Sequence, residues 1–128
     1  MYVNNETGVI QPIKEIAKLT HENGVLFMTD ATQAAGKIGV DVDDLHIDLL
    51  CFSGHKMYAP KGIGALYVRN KTKLTPQIHG GGHEQGLRSG TLNVPGIFAL
   101  AKACEIAEID FFSNQEKIYK LAKHLENK

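Results

Sequence analysis

Apolar and polar positions change period along the chain, and the changes mark out alternating helices and strands. From Ile13 to Leu19 apolar residues recur at helical spacing behind Pro12, a residue suited to a first helical turn, and Asn23-Gly24 ends the pattern. Val25-Leu26-Phe27-Met28 is a short apolar run leading into Thr29-Asp30 and reads as a buried strand. Ile47 to Phe52 is a second such run, ending at Ser53-Gly54-His55-Lys56, with a helical turn and loop expected over the intervening 31–45. Gly62 to Val68 reads as a third strand, entered through the Ala59-Pro60-Lys61-Gly62 turn. One long helical stretch is expected from Val94 to about Leu125, with Ile97, Leu100, Ala101, Cys104 and Ala107 on one face. The alternation predicts an α/β fold, a mainly parallel sheet with flanking helices. In such sheets ligands settle at the carboxyl ends of the strands. Both notable polar clusters, Asp30 to Gln33 and Ser53 to Lys56, fall at predicted strand ends.

Composition narrows the function. The chain has 128 residues, 43% of them hydrophobic, with 14 basic and 14 acidic groups. A chain of this length makes one ordinary domain that buries roughly two-thirds of its unfolded surface. The charge balance gives no basic excess to drive binding to nucleic acid or to an anionic membrane. The opening Met1-Tyr2-Val3-Asn4-Asn5 lacks the charged region and apolar stretch of a targeting leader, so none is expected, and no apolar run has a membrane-spanning length of about 18 residues. Cys51 and Cys104 are the only cysteines and both have apolar neighbours, which fits core positions and a reducing, cytoplasmic compartment. Nine of the 13 glycines lie between Gly54 and Gly96, a concentration that suggests backbone held close to a ligand or partner.

The chemistry centres on Lys56. Following an apolar strand and Ser-Gly-His, its amine is expected in a partly desolvated site, where a lowered pKa would make it a Schiff-base nucleophile. Ser53 and His55 offer a hydroxyl and an imidazole for a phosphate. Asp30, 26 residues before Lys56, is expected to be a buried carboxylate in need of a cationic partner. Gln33 offers a hydrogen bond from the same turn. Pyridoxal phosphate would satisfy these groups together, through its pyridinium nitrogen, ring hydroxyl, phosphate and aldehyde. Taken singly, Asp30 also suits a turn or helix cap, Lys56 a solvated charge, and Ser-Gly-His an ordinary turn. His79 and His83 stand four apart, but the three glycines between them oppose a helical metal site, and no Cys-x-x-Cys completes a ligand set. Lys61 to Gly64 lacks a full phosphate-loop pattern.

Five segments resemble cysteine desulfurases of the NifS/IscS-like group, within the class-V aminotransferase branch of fold-type I pyridoxal-phosphate enzymes. They are Val3-Asn4-Asn5-Glu6-Thr7-Gly8, Thr29 to Gln33, Phe52 to Lys56, Pro60 to Tyr67, and His79-Gly80-Gly81-Gly82-His83-Glu84 through Arg88-Ser89-Gly90-Thr91. The resemblance implies that Lys56 is the catalytic, Schiff-base lysine, and that the cofactor pyridoxal 5'-phosphate is bound by Asn5, Asp30, Gln33, Ser53, His55, Lys56 and Thr91. Asp30 would pair with the pyridinium nitrogen, Gln33 with the ring hydroxyl, and Ser53 and His55 with the phosphate. Thr91 would reach the partner's phosphate across a homodimer interface, giving the glycines of 80–90 a purpose. No metal is implied. The implied reaction takes sulfur from L-cysteine, leaving alanine and an enzyme persulfide for iron–sulfur cluster or thio-cofactor assembly through an acceptor protein. The persulfide cysteine and substrate arginine of the family match no residue here. Residues 1–128 would thus be a partial large domain without the small domain, and inactive alone. Two alternatives remain: another class-V enzyme, such as a selenocysteine lyase or an aminotransferase, or a non-catalytic fragment that binds a partner through Gly80 to Thr91.

Overall fold

The computed structural model describes residues 1–128. Helix α1 spans Ile13–Glu22, strands β1, β2 and β3 span Met28–Asp30, Leu49–Ser53 and Gly64–Val68, and helices α2 and α3 span Val94–Ile109 and Phe111–Glu126. Short 3-10 helices cover Gly54–Met57 and Glu84–Gly86.

The α/β reading holds, but the sheet is mixed. β1 and β2 pair in parallel, with Asp30 opposite Cys51, whereas β3 runs antiparallel to β2, with Ser53 opposite Gly64. The reason is the length of the connection. Only residues 54–63 join β2 to β3, and a parallel return needs a crossover of about a dozen residues or more.

Ile13 and Ala17, one helical turn apart on α1, meet Phe27, Ala31, Ala34, Ile47 and Leu50 in a core closed by Tyr2. Thr29 and Leu50 point to this side of the sheet; Met28, Asp30, Cys51, Ser53 and Leu66 share the other face by register. That second face is open, with Met28 55% and Leu66 47% exposed. The predicted strand at 25–28 is therefore corrected. Val25 and Leu26 are exposed and lie outside the strand, and only Phe27 of that run is buried, because β1 is an edge strand covered on one side alone.

The expected single helix over 94–125 is two. Asp110, with φ −90° and ψ 1°, ends α2 and starts α3. Its carbonyl accepts from both Asn114 N–H and the Ser113 hydroxyl, each at 2.9 Å, a local bond of the kind that bends helices. Leu100 is buried, Cys104 and Ala107 are half-buried, and Ala101 is exposed. α2 is capped by Asn93, whose Oδ1 accepts from Gly96 N–H at 3.1 Å. α3 buries none of its residues. No helix is long and apolar enough to cross a membrane.

Candidate functional site

The register brings Asp30, Cys51 and Ser53 onto one face at the carboxyl ends of β1 and β2. From there the chain enters the 3-10 helix at Gly54. Its period of three turns Gly54 and Met57 inward and leaves His55 and Lys56 exposed. The glycine is needed for packing: a β-carbon there would lie 3.0 Å from both Ile63 Cγ2 and Leu100 Cδ1, and 3.1 Å from Ala59 Cβ. α2 thus presses through Leu100 on the turn that carries Lys56.

Ser53 Oγ and His55 Nδ1 are 2.7 Å apart, so hydroxyl and imidazole are already joined. Asp30 Oδ1 accepts from Thr32 N–H at 2.7 Å. The Thr32 hydrogen bonds hold the Asp30 carboxyl below the ordinary range and so keep it ionised. The expectation of a buried Asp30 with a cationic partner is corrected, since the carboxylate is exposed and forms a turn with Thr32. So is that of a desolvated Lys56: the outward phase of the 3-10 turn exposes it.

Gln33 is half-buried and its Oε1 accepts from Lys37 Nζ at 3.1 Å. Burial, and then the nearby charge of Lys56, push the Lys37 amine down from its usual value. Sequence reasoning missed Lys37, although its place four residues beyond Gln33, on the same side of a turn, was the available signal. Lys37 and Lys56 both line a cavity of about 720 Å³ bounded by residues 35–37, residues 56–60, α2 and α3. Burial, and then the Asp30 charge, raise the Cys51 thiol, making it a poor nucleophile at neutral pH.

Asn5 and Thr91 lie apart from this cluster in their bonding. Asn5 is exposed in a turn closed by the Val3–Ile10 bridge, and its Nδ2 donates to Glu6 Oε1 at 2.8 Å. Tyr2 N–H donates to Asp30 O at 2.7 Å, which anchors that turn beside the end of β1. Thr91 is exposed in the loop entering α2.

Behind the site stands a brace that the motifs did not announce. Asp48, buried just ahead of β2, accepts from Phe27 N–H at 2.7 Å and lies 2.7 Å from His21 Nε2. Arg69 Nε donates to Ile47 O at 2.9 Å and Nη1 to Asp43 Oδ1 at 2.7 Å, so the end of β3 fixes the loop that feeds β2.

Residues 1–128 match the family model described as aminotransferase class-V. The chain is 53% identical over 127 residues to a cysteine desulfurase IscS of Anaeromyxobacter sp. (strain Fw109-5), covering 98% of this chain and 31% of that protein. It is similar to the solved NifS-like protein of Rickettsia africae ESF-5, with a TM-score of 0.93, 37% identity, and coverage of 98% of this chain and 35% of that one. It is also similar to SspA, solved in complex with cysteine, with a TM-score of 0.78, 53% identity, and coverage of 81% and 30%. The chain therefore spans about a third of the length of the proteins it matches.

Proposed function

The chain belongs to the class-V aminotransferase family, and from that premise we propose that it forms the lysine-bearing part of the cofactor domain of a pyridoxal-phosphate-dependent cysteine desulfurase. The observation that carries the reading is the gathering of an ionised Asp30, the bonded Ser53–His55 pair and Lys56 at the carboxyl ends of two adjacent parallel strands. This donor set fits the cofactor. Asp30 keeps its Oδ2 for a pyridinium N–H, and its ionised state is the one that bond requires. Ser53 and His55 bring a hydroxyl and a ring nitrogen together for a phosphate, Gln33 stands in the turn after Asp30 for a ring hydroxyl, and Lys56 is exposed for covalent attachment. Asn5, beside the end of β1, and Thr91, reaching a partner subunit, would complete the grip. When bound, pyridoxal phosphate supplies an electron sink for the bonds of an amino-acid substrate.

The residues of the chain divide the remaining work. Asp30 holds the ring nitrogen's proton, Ser53 and His55 orient the group from the phosphate end, and the Lys56 amine is the local base that accepts and returns a proton. The assigned substrate is L-cysteine, and the products are alanine and sulfur passed on as a persulfide to an acceptor for iron–sulfur cluster or thio-cofactor assembly. The raised Cys51 thiol opposes persulfide chemistry in this domain. Turnover is accordingly expected to need a cysteine other than Cys51. A homodimer in the cytoplasm is the assembly the reading expects.

Borohydride reduction after incubation with pyridoxal phosphate tests the assignment. A pyridoxyl adduct on the Lys56 peptide, lost in Lys56→Ala and weakened in Asp30→Ala, is the expected result. An adduct spread over surface lysines, or unaltered by Lys56→Ala, overturns it. Robust release of alanine and sulfide from L-cysteine by these residues alone would overturn the division of labour.

A further inference from the structure

Five of the 13 glycines lie within residues 80–90, and three of them are bare for reasons internal to that loop. A β-carbon would stand 3.3 Å from Ser89 Cβ at Gly80, 2.8 Å from His83 Cε1 at Gly81, and 2.6 Å from Arg88 Nη1 at Gly90. Three side chains thus fold back onto their own backbone. Two of them close the loop: Gly82 N–H donates to Ser89 Oγ and Gly90 N–H to His83 Nδ1, each at 3.3 Å. Ser89 is buried and its N–H donates to Ile78 O at 3.1 Å. Between the two closures Glu84 and Gln85 hold left-handed backbone, φ 50° and 56°, which non-glycine residues keep only when their surroundings enforce it. Thr91 follows directly, and the Asn93 cap fixes the far side of its short segment.

We propose that His83 is a positioning residue: its neutral imidazole latches the 80–90 loop at Gly90 and so fixes the segment that presents Thr91, and protonation at Nδ1 releases the latch. A backbone N–H only donates, so Nδ1 must carry its lone pair in the latched state and the ring proton resides on Nε2. A second proton turns Nδ1 into a donor facing a donor, and the bond is lost. The other titratable and charged groups of the loop are His79, Glu84 and Arg88, and the Arg88 guanidinium lies against Gly90 on the donor side of the bond. The role of Thr91 itself rests on the desulfurase reading; the latch does not.

Amide hydrogen exchange by NMR on the 128-residue chain, corrected for intrinsic rates and followed from neutral to mildly acidic pH, tests this. In His83→Ala the Gly90 amide should exchange about five- to tenfold faster at neutral pH, the effect of losing one hydrogen bond, and the backbone order parameters of Thr91 and Leu92 should fall. The wild type should approach those rates on acidification. His83→Asn, whose Oδ1 accepts near the same point without titrating, should keep slow exchange throughout. Unchanged Gly90 exchange in His83→Ala overturns the latch. A pH-independent wild type overturns the switch, and unaltered Thr91 and Leu92 order parameters overturn the positioning role. Failure of the wild type to bind pyridoxal phosphate would remove the desulfurase reading while the exchange rates still decided the latch.

Discussion

Replacing Asp48 with alanine should destabilise the fold behind the candidate site without touching any group in it. The Asp48 carboxylate is the only acceptor given to the N–H of Phe27, which is 9% exposed, and removing it leaves that donor buried and unpaired. An orphaned buried donor costs about 1–3 kcal/mol, with bonds to charged acceptors toward the upper end. The contact to His21 adds little, about 0–1 kcal/mol, because that imidazole is 38% exposed and screened by solvent. The expected loss is therefore about 2–4 kcal/mol, a fall of roughly 8–15 °C in Tm for a domain of this size. Asp48→Asn keeps an oxygen for Phe27 and should lose about half as much. Burial pushes the Asp48 carboxyl up, but the Phe27 N–H, then the bond and charge of His21, then the Arg69 charge outweigh it, and the net displacement is downward. A carboxylate with a lowered folded pKa stabilises fully above its unfolded value of about 3.9 and ceases to as pH falls through the folded one. Urea unfolding followed by circular dichroism should therefore show a gap between wild type and Asp48→Ala that is widest near neutrality and narrows in acid to about half, since the protonated carboxyl still offers an oxygen to Phe27 N–H. A gap below about 0.5 kcal/mol at pH 7, or one that does not narrow as pH falls through the folded pKa, would refute the reasoning.

Two further substitutions probe how the backbone is fitted. Gly64→Ala would place a β-carbon 2.7 Å from Phe52 O in the neighbouring strand, so a loss of about 1–3 kcal/mol in urea unfolding is expected; an unperturbed variant would show that β2 and β3 separate freely at the Ser53 end. Asn93→Ala removes the only side-chain cap of α2 and should cost about 1 kcal/mol, with early loss of helical signal on heating as the check.

The architecture was legible where periodicity and punctuation agree. Pro12 and Asn23-Gly24 bracket α1 as expected, and the runs ending at Asp30 and Ser53 do pair in parallel with their polar clusters at one end. The short connection over 54–63 made β3 antiparallel; that spacing stood in the sequence, but apolar pattern alone carries no strand direction. The break at Asp110 is a departure of one residue's backbone, to φ −90° and ψ 1°, too local for a run of apolar positions to reveal. For the candidate site, the motifs nominate residues but do not give their exposure. His55 and Lys56 face outward because a 3-10 turn buries every third residue, and Asp30 is tied to Thr32 because a backbone donor two residues on outcompetes a distant cation. The glycines between 80 and 90 suggested a ligand or partner, whereas at three positions they make room for the loop's own side chains.

The bend at Asp110 carries a mechanical consequence. α3, 16 residues long, is a rod of about 24 Å, so a 10° change in the torsions at its base moves its far end by about 4 Å. Gln115 Nε2, near that base, donates to Lys37 O, in the turn that also holds Gln33. A pull applied at the Leu125 end thus acts on a long arm, while Gln115 and the Lys37 carbonyl sit on the short one. Leverage of that kind multiplies force and divides displacement, so whatever grips the tip of α3 tugs on the Gln33–Lys37 turn with more force and less travel than it applies.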